Sequence, residues 1–364
     1  MSGPTAVRKA PTPTPVDRPA GLRPGWLAAG VVAVLVALVA GVSLGPVSLP
    51  PGSVAAELLN LLPGVRLDSG LTEREIAIVT ELRLPRVVLG LLVGGLLALA
   101  GGCYQGVFRN PLADPYLLGV AAGAGLAVTA VIALGAGAGG ALTGLPVTIP
   151  LAAFVGSLGA VAMTYLLGVA GGRGRSTATL ILAGVAVSAF LSAGQTYLLQ
   201  RNSDTIQQVY SWLLGRLATA GWHDVRLVLP YFLLTTVVVL LHRRELDVLS
   251  VGDDEARGLG LHPQRSRYLL IAAASLGTAA AVSASGLIGF VGIIVPHTVR
   301  MLAGSSYRVV LPLSLLFGGA FLALTDVVAR TAAAPAEIPI GVVTALLGGP
   351  FFVLVLRSSR RVLT

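Results

Sequence analysis

The chain has 364 residues, 55% of them hydrophobic and only 11% charged, with mean hydropathy +0.85 and formal net charge +9. A soluble protein carries about 25% charged residues, so two water-soluble domains of this length would lack a polar coat. That leaves an all-α, multi-pass membrane protein, whose 46 glycines permit close helix approach and whose single cysteine, Cys103, excludes an intrachain disulfide.

Residues 1–25 are rich in proline and poor in apolar side chains, which predicts a disordered tail ahead of the membrane domain, 26–360. A membrane span needs about 20 apolar residues. Runs of that kind cover 26–45, 87–104, 116–135, 147–170, 178–200, 225–241, 268–302, 309–328 and 338–356. The run 268–302 would make a helix of about 52 Å, too long for one crossing, and it splits most naturally within 283–292. Both ends are basic, with Arg8, Lys9, Arg18 and Arg23 before the first run and Arg357, Arg360 and Arg361 after the last. The positive-inside rule places both termini in the cytoplasm and requires an even number of crossings. Ten spans satisfy it, leaving 17 basic residues on the inner side and 8 on the outer.

The longest outer loop, 46–85, contains VAAELLNLL (54–62), whose spacing predicts a short amphipathic helix at the interface. It ends in ELRLPR, which sets Arg83 and Arg86 three residues apart at a helix entrance, with Pro85 suited to a first turn. Outer arginines serve either lipid headgroup phosphates or the carboxylates of an acidic partner. On the inner side the interval 242–267 dominates. SVGDDEARGLG reads as a short helix with Ser250 or Asp253 as cap, acids in the first turn, and Gly258 and Gly260 as stops. A helix that short gains little alone, which favours a partner protein over a plain connector. Three other inner connections are short: RNPLADP (109–115), a rigid two-proline turn, GGRGRST (171–177) and 295–308.

Much chemistry is missing. A P-loop needs a lysine after its glycines, and Lys9 is the only lysine. Proton coupling needs ionisable groups inside the spans. Asp326 and Arg330, one helical turn apart, read as a local pair at the outer end of a span, and Gln105 and Gln195 do not titrate. His223, His242, His262 and His297 are scattered beside loops, without metal-ligand spacing. Exclusion leaves a passage of small apolar residues, energised by a separate protein at 242–267.

Several blocks carry a resemblance: ELRLPRVVLGLLVGGLLALAGGCYQGVFRNPLADPYLLGVAAGAG (81–125), STATLILAGVAVSA (176–189), LSVGDDEARGLGL (249–261), GLIGFVGIIVPHTVRMLAG (286–304) and TDVVARTAAAPAEIPIGVVTALLGGPFFVLVL (325–356). In this order they resemble the FecCD family of ABC-importer permeases for ferric siderophores, haem and vitamin B12. The resemblance implies ten spans per subunit and a homodimer or pseudo-dimer in the cytoplasmic (inner) membrane. Cytoplasmic ATPase subunits, which hold ATP and Mg, would dock on the coupling loop at Leu249, Gly252, Asp253, Glu255, Ala256, Arg257, Leu259 and Gly260. An extracytoplasmic binding protein would dock through carboxylates on Arg83, Arg86 and Arg330. The inner gate would match Ser176, Thr177 and Ala178, although the family often has a hydroxyl residue where this chain has Ala178. This chain itself would hold no cofactor or metal, perform no catalysis and bind no nucleic acid. A ferric siderophore is the expected cargo, with haem and vitamin B12 as alternatives. An ion-coupled secondary transporter working alone is the reading from a different class.

Overall fold

A computed structural model describes residues 21–137, 147–170 and 177–360, and all regular structure among them is helical. In chain order the helices are α1 (Pro24–Ser43), α2 (Pro51–Asn60), α3 (Glu73–Ala77), α4 (Leu84–Val107), α5 (Val120–Gly137), α6 (Thr148–Ala170), α7 (Thr177–Arg201) and α8 (Ile206–Leu213). They continue with α9 (Trp222–Leu241), α10 (Arg243–Val251), α11 (Asp253–Gly258), α12 (Pro263–Ser285), α13 (Val291–Ala303), α14 (Tyr307–Thr331) and α15 (Ile340–Arg360). Seven described helices are long and apolar enough to cross a membrane, and Val120–Gly135, Val291–Ala303 and Ile340–Val355 are shorter apolar helices. The chain is a multi-pass membrane protein.

Burial sorts the helices into two groups. In the most apolar stretch of Glu73–Val107, 89% of residues are buried, against 17% in Ala178–Arg201 and 22% in Pro24–Ser43. A helix apolar all round and buried all round belongs at the centre of a bundle, and α4 fills that place with α12 and α14 against it. The outer helices show bare apolar faces, such as Val31, Val32, Leu35 and Val36 on α1. Without a hydrophobic drive between helices in lipid, contact depends on close backbone approach through small residues. A side chain at Gly94 would lie 2.6 Å from Leu322 Cβ and 3.0 Å from the Gly318 carbonyl carbon, and one at Gly318 would collide with Ala98. Gly123 on α5 and Gly156 on α6 exclude each other's side chains in the same way.

Three sequence expectations change in the structure. The polar tail was expected to run through residue 25. Pro24, however, already opens α1 at a first-turn position where its missing N–H costs nothing, and Leu22 packs on the core; residues 1–20 lie outside the described residues. The second span was expected to start after Pro85, but helix runs without interruption from Glu73. Its π-helical segment Ile78–Arg83 ends just before the proline, and the Leu84 N–H reaches back five residues to the Val79 carbonyl. The widened turn accommodates a proline ring that would press on a regular helix. Third, α11 lacks the expected side-chain cap: Gly252 is its N-cap, the Ser250 hydroxyl donates to the Asp247 carbonyl, and Asp253 is engaged elsewhere.

The long run 268–302 does split. Here α12 ends at Ser285 and α13 begins at Val291, inside the expected window. Gly286 turns the chain at φ +71, and a side chain on it would strike the Trp212 carbonyl, so only glycine fits. The Tyr116 hydroxyl closes the gap: it accepts from the Ile288 N–H at 3.0 Å and donates to the Ile288 carbonyl at 2.9 Å. The Arg216 N–H donates to Ser285 O at 2.7 Å and the Gly341 N–H to Leu214 O at 3.0 Å, so three chain breaks meet and satisfy one another.

Gly94→Ala should cost about 1–3 kcal/mol through overpacking, whereas Gly159→Ala, which meets no atom within 4 Å, should be close to neutral. Thermal unfolding midpoints of the two purified variants in the same detergent would check this contrast.

Candidate functional site

Two polar clusters sit at opposite ends of the α4–α14 pair. At one end, Arg86 makes two bidentate pairs. Its Nε and Nη2 donate to Asp326 at 2.9 and 2.8 Å, and its Nη1 and Nη2 donate to Glu337 at 3.0 and 2.9 Å. Arg330 lies 3.5 Å from the same Asp326 and donates to the Gly41 carbonyl at 2.5 Å. Arg83 donates to the carbonyls of Val42 and Ser43 at 2.8 and 3.1 Å, and to that of Val47. The last four carbonyls of a helix have no partner within it, so Arg83 and Arg330 together cap the C-terminus of α1, where positive charge is also favoured by the helix dipole.

The structure therefore brings Arg83, Arg86 and Arg330 together, but not as three open cations. Arg83 and Arg330 are buried, at 7% and 3% exposure, with their guanidinium groups spent on backbone carbonyls. Arg86 borders a polar crevice of about 230 Å³, shared with Asp326, Glu337, Arg216 and Thr219. Two arginines, Arg86 and Arg216, and two carboxylates, Asp326 and Glu337, line it, and the buried Arg330 stands behind Asp326. The local reading of Asp326 with Arg330 is incomplete, since Asp326 is held chiefly by Arg86, 240 residues away.

At the other end lies the elbow formed by α10 and α11. Leu249 and Ala256 are fully buried and seat it on the bundle. Gly252 makes the bend at φ +153, a backbone state that other residues rarely adopt. Arg267 grips Asp253 at 2.7 and 2.6 Å, and Arg109 bonds both Asp253 and the Leu249 carbonyl, the latter at 2.7 Å. Arg267, with Arg109 adding its charge, holds the Asp253 carboxyl below its ordinary range. Asp247 accepts from the Tyr307 N–H at 2.6 Å and the Ser306 hydroxyl at 2.8 Å, so the elbow also caps α14. The elbow is thus rigidly held, yet Val251 and Leu259 stand 66% and 71% exposed on it, and Gly260 ends it at φ +82. Glu255 and Arg257 lie in α11, and Arg257 pairs with Asp254.

Of the gate residues, Ser176 lies outside the described residues, Thr177 begins α7, and Ala178 is exposed on its first turn. Sequence reading missed Arg109, Asp247, Arg267, Glu337 and Tyr116. The prolines around Arg109 mark its turn, but the partners of Arg109, Asp247, Glu337 and Tyr116 lie far along the chain, and Arg267 meets Asp253 across the loop between α11 and α12.

The FecCD transport family model matches residues 33–358. The chain is similar to the cobalamin import system permease protein BtuC of Halobacterium salinarum, 41% identical over 84% of this chain and 80% of that protein. It is also similar to the Fe(3+)-citrate import system permease protein YfmE of Bacillus subtilis, 34% identical over 91% and 94% respectively. A solved structure described as an inward-facing conformation of a metal-chelate type ABC transporter superposes with TM-score 0.79 at 29% identity, covering 92% of this chain and all of that one.

Asp326→Ala leaves Arg86 and Arg330 without their shared buried carboxylate, so it should cost about 3–5 kcal/mol of stability, read as a fall in the unfolding midpoint. A depressed carboxyl pKa contributes stability that is present above the unfolded value near 3.9 and lost only as pH falls through the lower folded value. Hydrogen-exchange protection of 249–260 should therefore persist at pH 5 in the native chain and be lower in Arg267→Gln at both pH 5 and pH 7.

Proposed function

The chain belongs to the FecCD transport family, and from that premise we propose that it is the permease subunit of an ABC importer carrying a ferric siderophore across the cytoplasmic membrane. Energy comes from separate ATPase subunits that hold ATP and Mg. The observation that carries this reading is the elbow at 243–260: a short two-helix segment, ion-paired into place, that presents bare Val251 and Leu259. Exposed apolar side chains on a rigid, polar-anchored support fit a protein interface.

Orientation follows the charge bias, with both termini and the elbow in the cytoplasm. The extracytoplasmic binding protein then lands around the crevice at Arg86 and Arg216. Arg83 and Arg330 act there through the α1 terminus they hold, by keeping that surface in shape. Two copies of the chain form the translocation path, gated near Ser176, Thr177 and Ala178. The similarity to the Fe(3+)-citrate permease and to the metal-chelate type transporter supports an iron chelate as cargo; the cobalamin permease keeps vitamin B12 as the alternative, with haem beside it. A secondary transporter is disfavoured because Asp326, the acidic residue of the α14 span, is engaged through both oxygens by Arg86.

Proteoliposomes containing the chain, with the ATPase and binding protein encoded beside its gene, should accumulate a ferric siderophore only when ATP is supplied. Uptake by the chain alone under a proton gradient would overturn the proposal. In the same system Leu259→Asp should weaken ATPase association roughly tenfold, as expected for a central interface residue, with the amount of inserted protein unchanged.

A further inference from the structure

Beside the elbow, α12 carries a stripe that neither cluster uses. Arg265, Tyr268, Ala272 and Leu276 follow at three- and four-residue steps and so share one helix face. Two cavities lie along this face and have Tyr268 as a common wall. The one at the elbow end, about 530 Å³, is bordered by Arg257, His262 and Arg265. The other, about 520 Å³, is a slot between α6 and α12 lined by Leu158, Val161, Tyr165, Leu180, Ile271 and Leu276.

The two cavities differ sharply in chemistry. Arg265 and His262 are exposed, and Arg265 forms no ion pair or hydrogen bond among the described residues. Among the described residues no carboxylate borders that cavity. The slot is apolar, and its Ser275 hydroxyl is already taken by the Tyr104 hydroxyl at 2.6 Å. It opens sideways at Ala162 and Ala272, both exposed, on helices that cross the bilayer. From Arg265 to Leu276 the stripe rises about 16 Å, close to half of a hydrocarbon core of about 30 Å. Tyr165 and Tyr268 meet edge to face, centroids 5.2 Å apart, where the basic cavity passes into the slot, and such rings favour the headgroup level.

We infer that this face is a binding site for one anionic phospholipid of the leaflet on the elbow side. The phosphate sits against Arg265, with His262 beside it and Arg257 left to its pair with Asp254, and an acyl chain fills the slot along Tyr268, Ala272 and Leu276. A purely protein-docking surface would need the basic cavity but not an apolar slot at membrane depth. The amphiphile needs both, in this order and at this length. A basic pocket between spans at the membrane surface is the usual place for such a headgroup. The inference rests on the membrane reading of the fold, and the proposed cargo plays no part in it.

The test uses the full-length chain reconstituted in vesicles of phosphatidylcholine containing a fixed fraction of bromine-labelled lipid. Tyr268→Trp places a reporter in the shared wall, and its emission is read after subtracting that of the native chain, which contains three tryptophans. Brominated phosphatidylglycerol should quench it well beyond brominated phosphatidylcholine at equal fraction. Adding Arg265→Gln should reduce that preference about fivefold, the effect expected of one cation at the surface. As a check that needs no new tryptophan, native mass spectrometry of the unaltered chain should retain one phosphatidylglycerol that Arg265→Gln loses. Equal quenching by the two lipids, or a preference untouched by Arg265→Gln, overturns the inference and leaves the basic cavity as part of a protein-docking face. Absence of quenching by either lipid overturns it as well, because the slot is then closed to the bilayer.

Discussion

In hydrocarbon there is no water to satisfy a peptide group, so every bend inside this bundle must supply its own partners. The breaks at 214–220, 286–290 and 338–340 converge for that reason. The Leu214 and Ser285 carbonyls, the Arg216 and Gly341 N–H groups, and both polar atoms of Ile288 are paired across chain segments far apart in sequence. One phenol, Tyr116, serves as donor and acceptor for the same residue. The irregular backbone of these three breaks is thereby gathered in one place with its polar groups paired. Glycine contacts such as Gly94 with Gly318 then set how closely α4 and α14 lie.

The same demand explains the buried arginines. A guanidinium inside a protein is costly unless its donors are used. Arg83 spends its own on carbonyls that close α1, Arg86 on two carboxylates, and Arg330 gives one donor to the Gly41 carbonyl while its Nε faces Asp326 at 3.5 Å. The cluster is first a device for ending one helix beside two others. Its surface property, a crevice lined by two arginines and two carboxylates, follows from that construction.

Much of the architecture was readable because membrane spans announce themselves by length and apolarity. The split within 283–292 was readable because a helix of 35 residues would be too long for one crossing, and α11 within 242–267 because acids open it and glycines close it. The helical entrance at Glu73 was hidden by Pro85, since a widened π-helical turn leaves no mark in composition. The fate of the three arginines was hidden more deeply: a basic residue in an outer loop reads as exposed, and its carbonyl partners stand about forty residues earlier or nearly three hundred away. Asp253 looked like a helix cap because local spacing is all a sequence displays, yet Arg109 and Arg267 claim it.

The α4–α14 pair has a mechanical consequence. Arg86 stands near the start of α4 and Arg109 just past its end, while Arg330 and Tyr307 occupy the corresponding ends of α14. Along α4 the separation from Arg86 to Val107 is about 32 Å. The two helices touch backbone to backbone through glycine and leave no room to slide, so they form one stiff strut with ion pairs near both ends. A stiff bar turns as one piece, so any rotation of this strut carries its crevice end and its elbow end in opposite directions.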